Sequence, residues 1–132
     1  MKEKNISNWK KPIIEHGKFT KFNYIVQYPE NLKLGKYFDI GTFTYINAQF
    51  SVIIEDYVQI GSHCSIYSNS SIDNKQGPVH LEKNARIGTH STIMPNVIIG
   101  ENSIIAAYSF VNENVPTGEL WGGIPAKKIK NI

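Results

Sequence analysis

The sequence predicts an all-β protein, a parallel β-helix wound from six-residue turns, and three observations predict it. Between Leu81 and Val111 every sixth residue is a branched aliphatic: Leu81, Ile87, Ile93, Ile99, Ile105 and Val111. Two residues before each stands a short side chain: Val79, Ala85, Ser91, Val97, Ser103 and Ser109. The same step runs earlier in the chain, through Leu34, Ile40 and Ile46, then through Ile54, Ile60, Ile66 and Ile72. No helix has a period of six, and an alternating strand does not hold one residue class at every sixth place. A hexapeptide period is the mark of a solenoid in which each short strand is one side of a triangular coil. All thirteen anchors are Leu, Ile or Val, types that fill only 31 of the 132 positions. Chance does not account for that, even with two slips in the spacing.

Taken in order, residues 1–33 read as an N-terminal cap and first strands. Trp9, Pro12, Ile13 and Ile14 are candidates to cover the open end of the stack, where an uncovered coil would leave unpaired strand edges. Phe22 to Tyr28 looks strand-like, and Pro29 turns the chain. Residues 34–115 form the repeat. Three hexads make one coil, so thirteen make a little over four coils, a prism roughly 20 Å tall at about 4.8 Å per layer. Residues 116–132 form a C-terminal tail.

The slips before Ile54 and before Leu81 must bulge outward, because the stacked core fixes everything else. One involves Ala48, Gln49 and Phe50; the other runs from Asp73 to Pro78, with Gly77-Pro78 as its turn. Bulges of this kind are where function concentrates. Counting Ile72 as an anchor puts Ile46, Ile66, Ile87 and Ile105 one above another. The corners after them then form a column of Tyr67-Ser68-Asn69, Gly88-Thr89-His90 and Ala106-Ala107-Tyr108, with the first bulge at its foot. On that count His63 lies on a different corner, with Asn84 as its neighbour.

Composition limits the partners. The net charge is +3, from 14 Lys and Arg against 11 Asp and Glu, and the basic residues are spread apart from Lys127, Lys128 and Lys130. A nucleic-acid binder shows a denser basic face, so no nucleic-acid partner is expected. Cys64, the only cysteine, excludes an internal disulfide and a thiolate metal cluster; at a small inward position it reads as a buried hydrophobe. Met1 to Lys11 has no apolar core of signal-peptide length. No run approaches the ~18 apolar residues of a membrane span. A soluble, cytoplasmic protein is the expectation.

The hexads, the closing segment Gly123-Ile124-Pro125-Ala126-Lys127-Lys128-Ile129, and the exit Asn112-Glu113-Asn114-Val115-Pro116 after Ile105–Val111 together resemble the hexapeptide-repeat acyltransferases, within them the galactoside and maltose acetyltransferase type. The resemblance covers about Leu34 to Ile132. It implies a left-handed parallel β-helix, against the usual right-handed crossover, and a homotrimer. It also implies acetyl-CoA as co-substrate in a groove between two subunits, with transfer to a sugar hydroxyl or amine. The substrate class implied is a nucleotide-linked amino sugar or a glycan hydroxyl, as used in surface polysaccharides. By the same match Thr89 and Ala107 line the pantetheine arm with backbone groups, Asn112 sits near it, and Lys127 lies near the cofactor's phosphates, where a cation suits the anion. The match also has departures. The family's catalytic histidine falls on Ser71, its acceptor-binding carboxylate falls on Gln49, and the loop after the histidine is cut to Asp73–Pro78.

Acyl transfer to a hydroxyl needs a general base and donors for the oxyanion. A neutral amine attacks a thioester with its own lone pair, so loss of the usual base tilts the reading toward an amino-sugar acceptor. Among His16, His63, His80 and His90, the last shares a corner with Thr89 and Ala107, and it is the candidate catalytic residue; His63 and His80 remain alternatives. Gln49, Ser71 and Asp73 are the candidate substrate-binding groups beside the bulges. No metal-ligand spacing appears among the histidines. Two competing functions keep the same prism: a non-catalytic binding scaffold, and a zinc site built from histidines across a trimer seam, as in carbonic-anhydrase-like hexapeptide proteins.

Overall fold

The structure, a computed structural model, describes residues 6–132. It is a parallel β-helix with three faces. The first face stacks β1 (Ile25–Gln27), β4 (Tyr45–Asn47), β7 (Ser65–Tyr67), β12 (Thr92–Ile93) and β15 (Phe110–Val111). The second stacks β2 (Leu32–Leu34), β5 (Val52–Ile54), β10 (Val79–Leu81) and β13 (Ile98–Ile99). The third stacks β3 (Asp39–Ile40), β6 (Gln59–Ile60), β11 (Arg86–Ile87), β14 (Ile104–Ile105) and β16 (Glu119–Gly123), and β17 (Ala126–Asn131) folds back antiparallel on β16. A two-stranded hairpin, β8 (Asn69–Ser70) and β9 (Lys75–Gln76), stands off the stack. No helix among the described residues is long and apolar enough to cross a membrane.

The hexads form the core. Val26, Ile46, Ile66, Ile93 and Val111 pair in register up the first face. Leu34, Ile54, Leu81 and Ile99 do so on the second, and Ile40, Ile60, Ile87, Ile105 and Trp121 on the third. Each strand is too short to be stable alone. Pairing to the coil above and below satisfies its backbone, while one inward side chain per strand adds to a continuous apolar column. The short residue two before each anchor is also inward. At Thr44, Ser91, Ser103 and Ser109 its hydroxyl donates to a backbone carbonyl of a corner, so the inward polar group is satisfied.

Three expectations change. Ile72 is not an anchor; it is fully exposed on the β8–β9 hairpin, which occupies the whole span from Ser68 to Pro78. Removing it from the count shifts all later strands by one face. Ile46 and Ile66 therefore stack under Ile93, while Ile60 stacks under Ile87 and Ile105. As a result, Tyr67-Ser68-Asn69 does not share a corner with Gly88-Thr89-His90. His63 does share it, with His90 and not Asn84 above it. Nor does the chain leave the prism after Val111. Val115 bridges to Ile99 on the second face and Trp121 pairs with Ile105 on the third, so the tail completes a further turn.

The ends are covered. At the foot, Gly17 and Thr20 donate back to Val26 and Tyr24, and Phe19 bridges Ile25 antiparallel, which hides the edge of β1. Trp9 packs edge-on against Phe38 and donates to its carbonyl at 3.0 Å; Ile14 also packs on the core, whereas Ile13 points outward. At the head, β16 and β17 close the third face. Trp121 Nε1 donates to Glu119 at 2.9 Å, and this bond, with Lys128 at 3.3 Å, holds the Glu119 carboxyl below the usual range. Cys64 is buried, as expected, and burial pushes its thiol pKa up against the opposing backbone hydrogen bonds of Ser91 and His90.

The revised register has a direct test. Ile66→Ala should cost about 2–5 kcal/mol of unfolding free energy by urea denaturation. Ile72→Ala, at a fully exposed position, should stay within about 0.5 kcal/mol of the parent. Equal losses would return Ile72 to the core.

Candidate active site

Each corner from the third face to the first is built alike: a short residue follows the anchor, then another, then one with left-handed backbone. Gly61 and Gly88 take the first place because a Cβ there would lie 2.8 Å from the Thr89 amide nitrogen and 2.5 Å from the Ala107 amide nitrogen. The left-handed place holds Phe43, His63, His90 and Tyr108, with φ between 59° and 63°. Non-glycine residues there are strained, but four in a column project their rings at the strand spacing and stack. Phe43 and His63 are 5.3 Å apart, His63 and His90 4.6 Å and nearly parallel, and His90 and Tyr108 4.8 Å and nearly parallel. Phe19 of the cap extends the ladder at 6.3 Å from Phe43. Contacts of this kind offset part of the strain.

Beside the rings runs a strip of short residues: Thr42, Ser62, Thr89 and Ala107. Among the described residues, neither the Thr89 nor the Ala107 amide donates to another backbone group. The Thr89 hydroxyl donates to the Ser62 carbonyl at 2.7 Å and lies 2.9 Å from His90 Nδ1. A threonine has one proton to give. With that proton committed to Ser62, the Thr89 oxygen can only accept, so Nδ1 of neutral His90 carries the hydrogen and Nε2 keeps its lone pair. Overhead, the closing hairpin sits directly on this corner. A Cβ on Gly122 would lie 2.9 Å from the Ala106 Cβ, and the Gly123 amide donates to Ser109 Oγ at 3.1 Å.

The corner from the first face to the second holds both bulges, one above the other. Asn47 and Ser68 are buried at their base: Ser68 Oγ donates to the Asn47 carbonyl at 2.7 Å and accepts from the Phe50 amide at 3.0 Å. Asn47 Oδ1 accepts from the Gln49 amide at 3.1 Å. Gln49 Oε1 accepts from Asn69 at 3.0 Å, which ties the first bulge to the root of the hairpin. Asp73 accepts from Ser70 at 2.6 Å and pairs with Lys75 at 3.8 Å. Ser71 and Ile72 project beside it, exposed.

The expected site residues therefore divide in two. Thr89, His90 and Ala107 share the ring corner. Gln49, Ser71 and Asp73 share the bulge corner, and Asn112, just past β15, is on that side as well. The two corners lie at opposite ends of the first face, separated by roughly 10 Å of strand at three residues per strand. Lys127, on β17, reaches toward the bulge side and pairs with Glu113 at 2.7 Å. Sequence reasoning missed three groups: the ring ladder, the buried pair Asn47 and Ser68, and a cluster of Glu55, His80 and Glu82 on the second face. The ladder has a sequence signal, since each ring is the third residue after an anchor of the third face.

Comparison with known proteins agrees with this architecture. The family described as bacterial transferase hexapeptide (six repeats) matches residues 78–113. Galactoside O-acetyltransferase of Escherichia coli is 30% identical over 125 residues, covering 83% of this chain and 62% of the relative. Among solved structures, a variant of AntD, an N-acyltransferase from Bacillus cereus, in complex with dTDP-4-amino-4,6-dideoxyglucose and coenzyme A, superimposes with a TM-score of 0.71. It is 27% identical, with 81% of this chain and 64% of that one covered. A hexapeptide-repeat acetyltransferase from Vibrio cholerae, complexed with acetyl coenzyme A, gives a TM-score of 0.74 at 26% identity, covering 80% of this chain and 63% of that one. The chain spans about three fifths of the length of the relatives it matches. In its repeat, its fold and these relatives, the chain is similar to the hexapeptide-repeat transferases of bacteria.

Proposed function

We propose that the chain transfers an acetyl group from acetyl-CoA to a sugar, with a nucleotide-linked amino sugar preferred over a glycan hydroxyl, as a step of surface polysaccharide synthesis. The observation that carries this reading is the ring corner. Two free amides, of Thr89 and Ala107, stand one coil apart beneath the closing hairpin, beside an imidazole whose Nε2 is free. The pantetheine arm of acetyl-CoA is a chain of amides, and its carbonyls are the acceptors such a strip would take. Lys127, drawn toward Glu113, is the cation available to the cofactor's phosphates. The relatives support the same substrate classes: one structure holds coenzyme A with a dTDP-linked amino sugar, another acetyl coenzyme A.

Acetyl-CoA would supply the activated acyl group. His90 Nε2 would take the acceptor's proton as the new bond forms, with Thr89 holding the ring in the required tautomer. Gln49, Ser71 and Asp73 would hold the acceptor. Because a single chain keeps these two sets at opposite ends of one face, the reading requires a second copy whose bulge corner meets the first copy's ring corner. A contact between unlike surfaces closes only into a ring, and a homotrimer is the assembly we infer. The side chains such a seam would cover on the ring side are large and apolar: Tyr108 is 63% exposed and Phe43 56%.

Two predictions follow from this assignment. Acetyl-CoA should raise the melting temperature by mass action, and coenzyme A thiol should be released when an amino-sugar panel is added. His90→Ala should then lower turnover at least tenfold with little change in melting temperature, whereas unchanged turnover removes His90 from the reaction. A strictly monomeric mass by sedimentation, or a chain that ignores acetyl-CoA, would favour a binding scaffold. Separately, 15N chemical shifts of His90 should report a protonated Nδ1 in the neutral ring. Thr89→Val should abolish that preference, and an unchanged tautomer ratio would contradict the orienting role of Thr89.

A further inference from the structure

The outer side of the second face carries a group of side chains that the acyl-transfer reading does not use. His80 lies at the centre of β10 between two inward residues, so it points outward, and Glu82 follows two residues later on the same side. Glu55 directly follows β5 one coil below, and its amide donates to the Leu81 carbonyl at 3.0 Å, which sets it beside them. His80 Nε2 touches Glu55 Oε2. The other oxygen of that carboxylate accepts from the Lys83 amide at 3.2 Å, so the carboxylate is oriented from behind. One ligand atom from each of the three residues lies within 4.8 Å of the others, and all three residues are half-buried.

Lys33 and Lys83 line the same surface as Glu55, but no lysine among the described residues closes an ion pair with the cluster. The lysines that form ion pairs among the described residues do so with Glu15, Asp73, Glu113 and Glu119, none with Glu55 or Glu82. One imidazole thus faces two carboxylates. We propose that Glu55, His80 and Glu82 are the protein ligands of a divalent metal ion of the zinc class, with water completing its coordination. An imidazole nitrogen with two carboxylate oxygens is a donor set that suits zinc and its first-row neighbours rather than magnesium or calcium, which take oxygen alone. Tetrahedral ligands about 2.0–2.1 Å from a metal lie roughly 3.3 Å apart. The set therefore closes if its side chains move by about 1.5 Å, within the reach of half-exposed glutamates. The Lys83 amide fixes a first-sphere carboxylate in the way outer partners orient metal ligands. All ligands come from one chain, so binding does not depend on the assembly or on acyl transfer.

The test is titration of the metal-free chain with Zn2+ by calorimetry and with Co2+ by visible absorption. One ion per chain should bind at micromolar concentration or tighter, Co2+ should develop a visible band, and millimolar Mg2+ or Ca2+ should not displace either ion. His80→Ala and the isosteric Glu82→Gln should each weaken binding at least tenfold, with melting curves confirming that both variants fold. His63→Ala combined with His90→Ala should leave affinity and stoichiometry unchanged. Absence of saturable Zn2+ binding, or binding that survives His80→Ala, overturns the proposal. Binding lost with His63 and His90 instead would place the ion at the ring corner and overturn it equally.

Discussion

Register between coils is the constraint on which the rest of the structure depends. Each interior strand of two or three residues has its backbone paired above and below, and the strands of the first face each contribute one aliphatic side chain to a column that is never interrupted from Val26 to Val111. A slip of one residue would turn that column toward water. The core therefore fixes both height and face for every outward residue. Residues that do not fit the six-step have nowhere to go but a corner, and both bulges leave by the same one. Because equivalent corner positions repeat at the layer spacing, like side chains meet: Tyr37 over Tyr57 at 5.3 Å, Asn84 bonded to Asn102 at 2.7 Å, and the ring ladder from Phe43 to Tyr108.

The inward columns were readable in the sequence because they rest on period and residue class, and both are local properties of the text. What was not readable followed from one residue. Ile72 is an isoleucine six places after Ile66, with a small serine two places before it, so by every local criterion it is an anchor. Only pairing in space shows otherwise: Asn69 and Ser70 bond to Gln76 and Lys75, and Leu81 takes the place above Ile54. That single assignment rotated each later corner by one face, which separated His63 from His90 and wrongly joined Tyr67 to Thr89. Asn47 and Ser68 were invisible for a related reason. Their partners are 21 residues apart, and no spacing rule marks a buried polar pair whose role is to root a loop.

The division of candidate groups between two corners gives the bulges a purpose beyond tolerance of extra length. A β-helix with perfect hexads presents three flat sides and three narrow edges, none of them concave. A projecting hairpin on one edge supplies a wall, and in the proposed assembly the facing edge of another copy would supply the floor. The hairpin is well anchored for that role: Gly77 lies so close to Asn96 that a Cβ would reach within 1.8 Å of its side-chain oxygen, and Asn96 Nδ2 donates to the Gln76 carbonyl at 2.8 Å. A wall held from behind in this way loses little entropy when something binds against it.

Left-handed corners bear on function as well. Asparagine tolerates this backbone well among residues with a side chain, and the corner between the second and third faces uses it at Asn84 and Asn102, above Tyr37 and Tyr57 in the same conformation. The ring corner uses His63, His90 and Tyr108 in the same conformation, at greater local cost. Rings at left-handed places therefore do not by themselves single out this corner; what sets it apart is the imidazole of His90, with the Thr89 hydroxyl 2.9 Å from its Nδ1, beside the unpaired amides of Thr89 and Ala107.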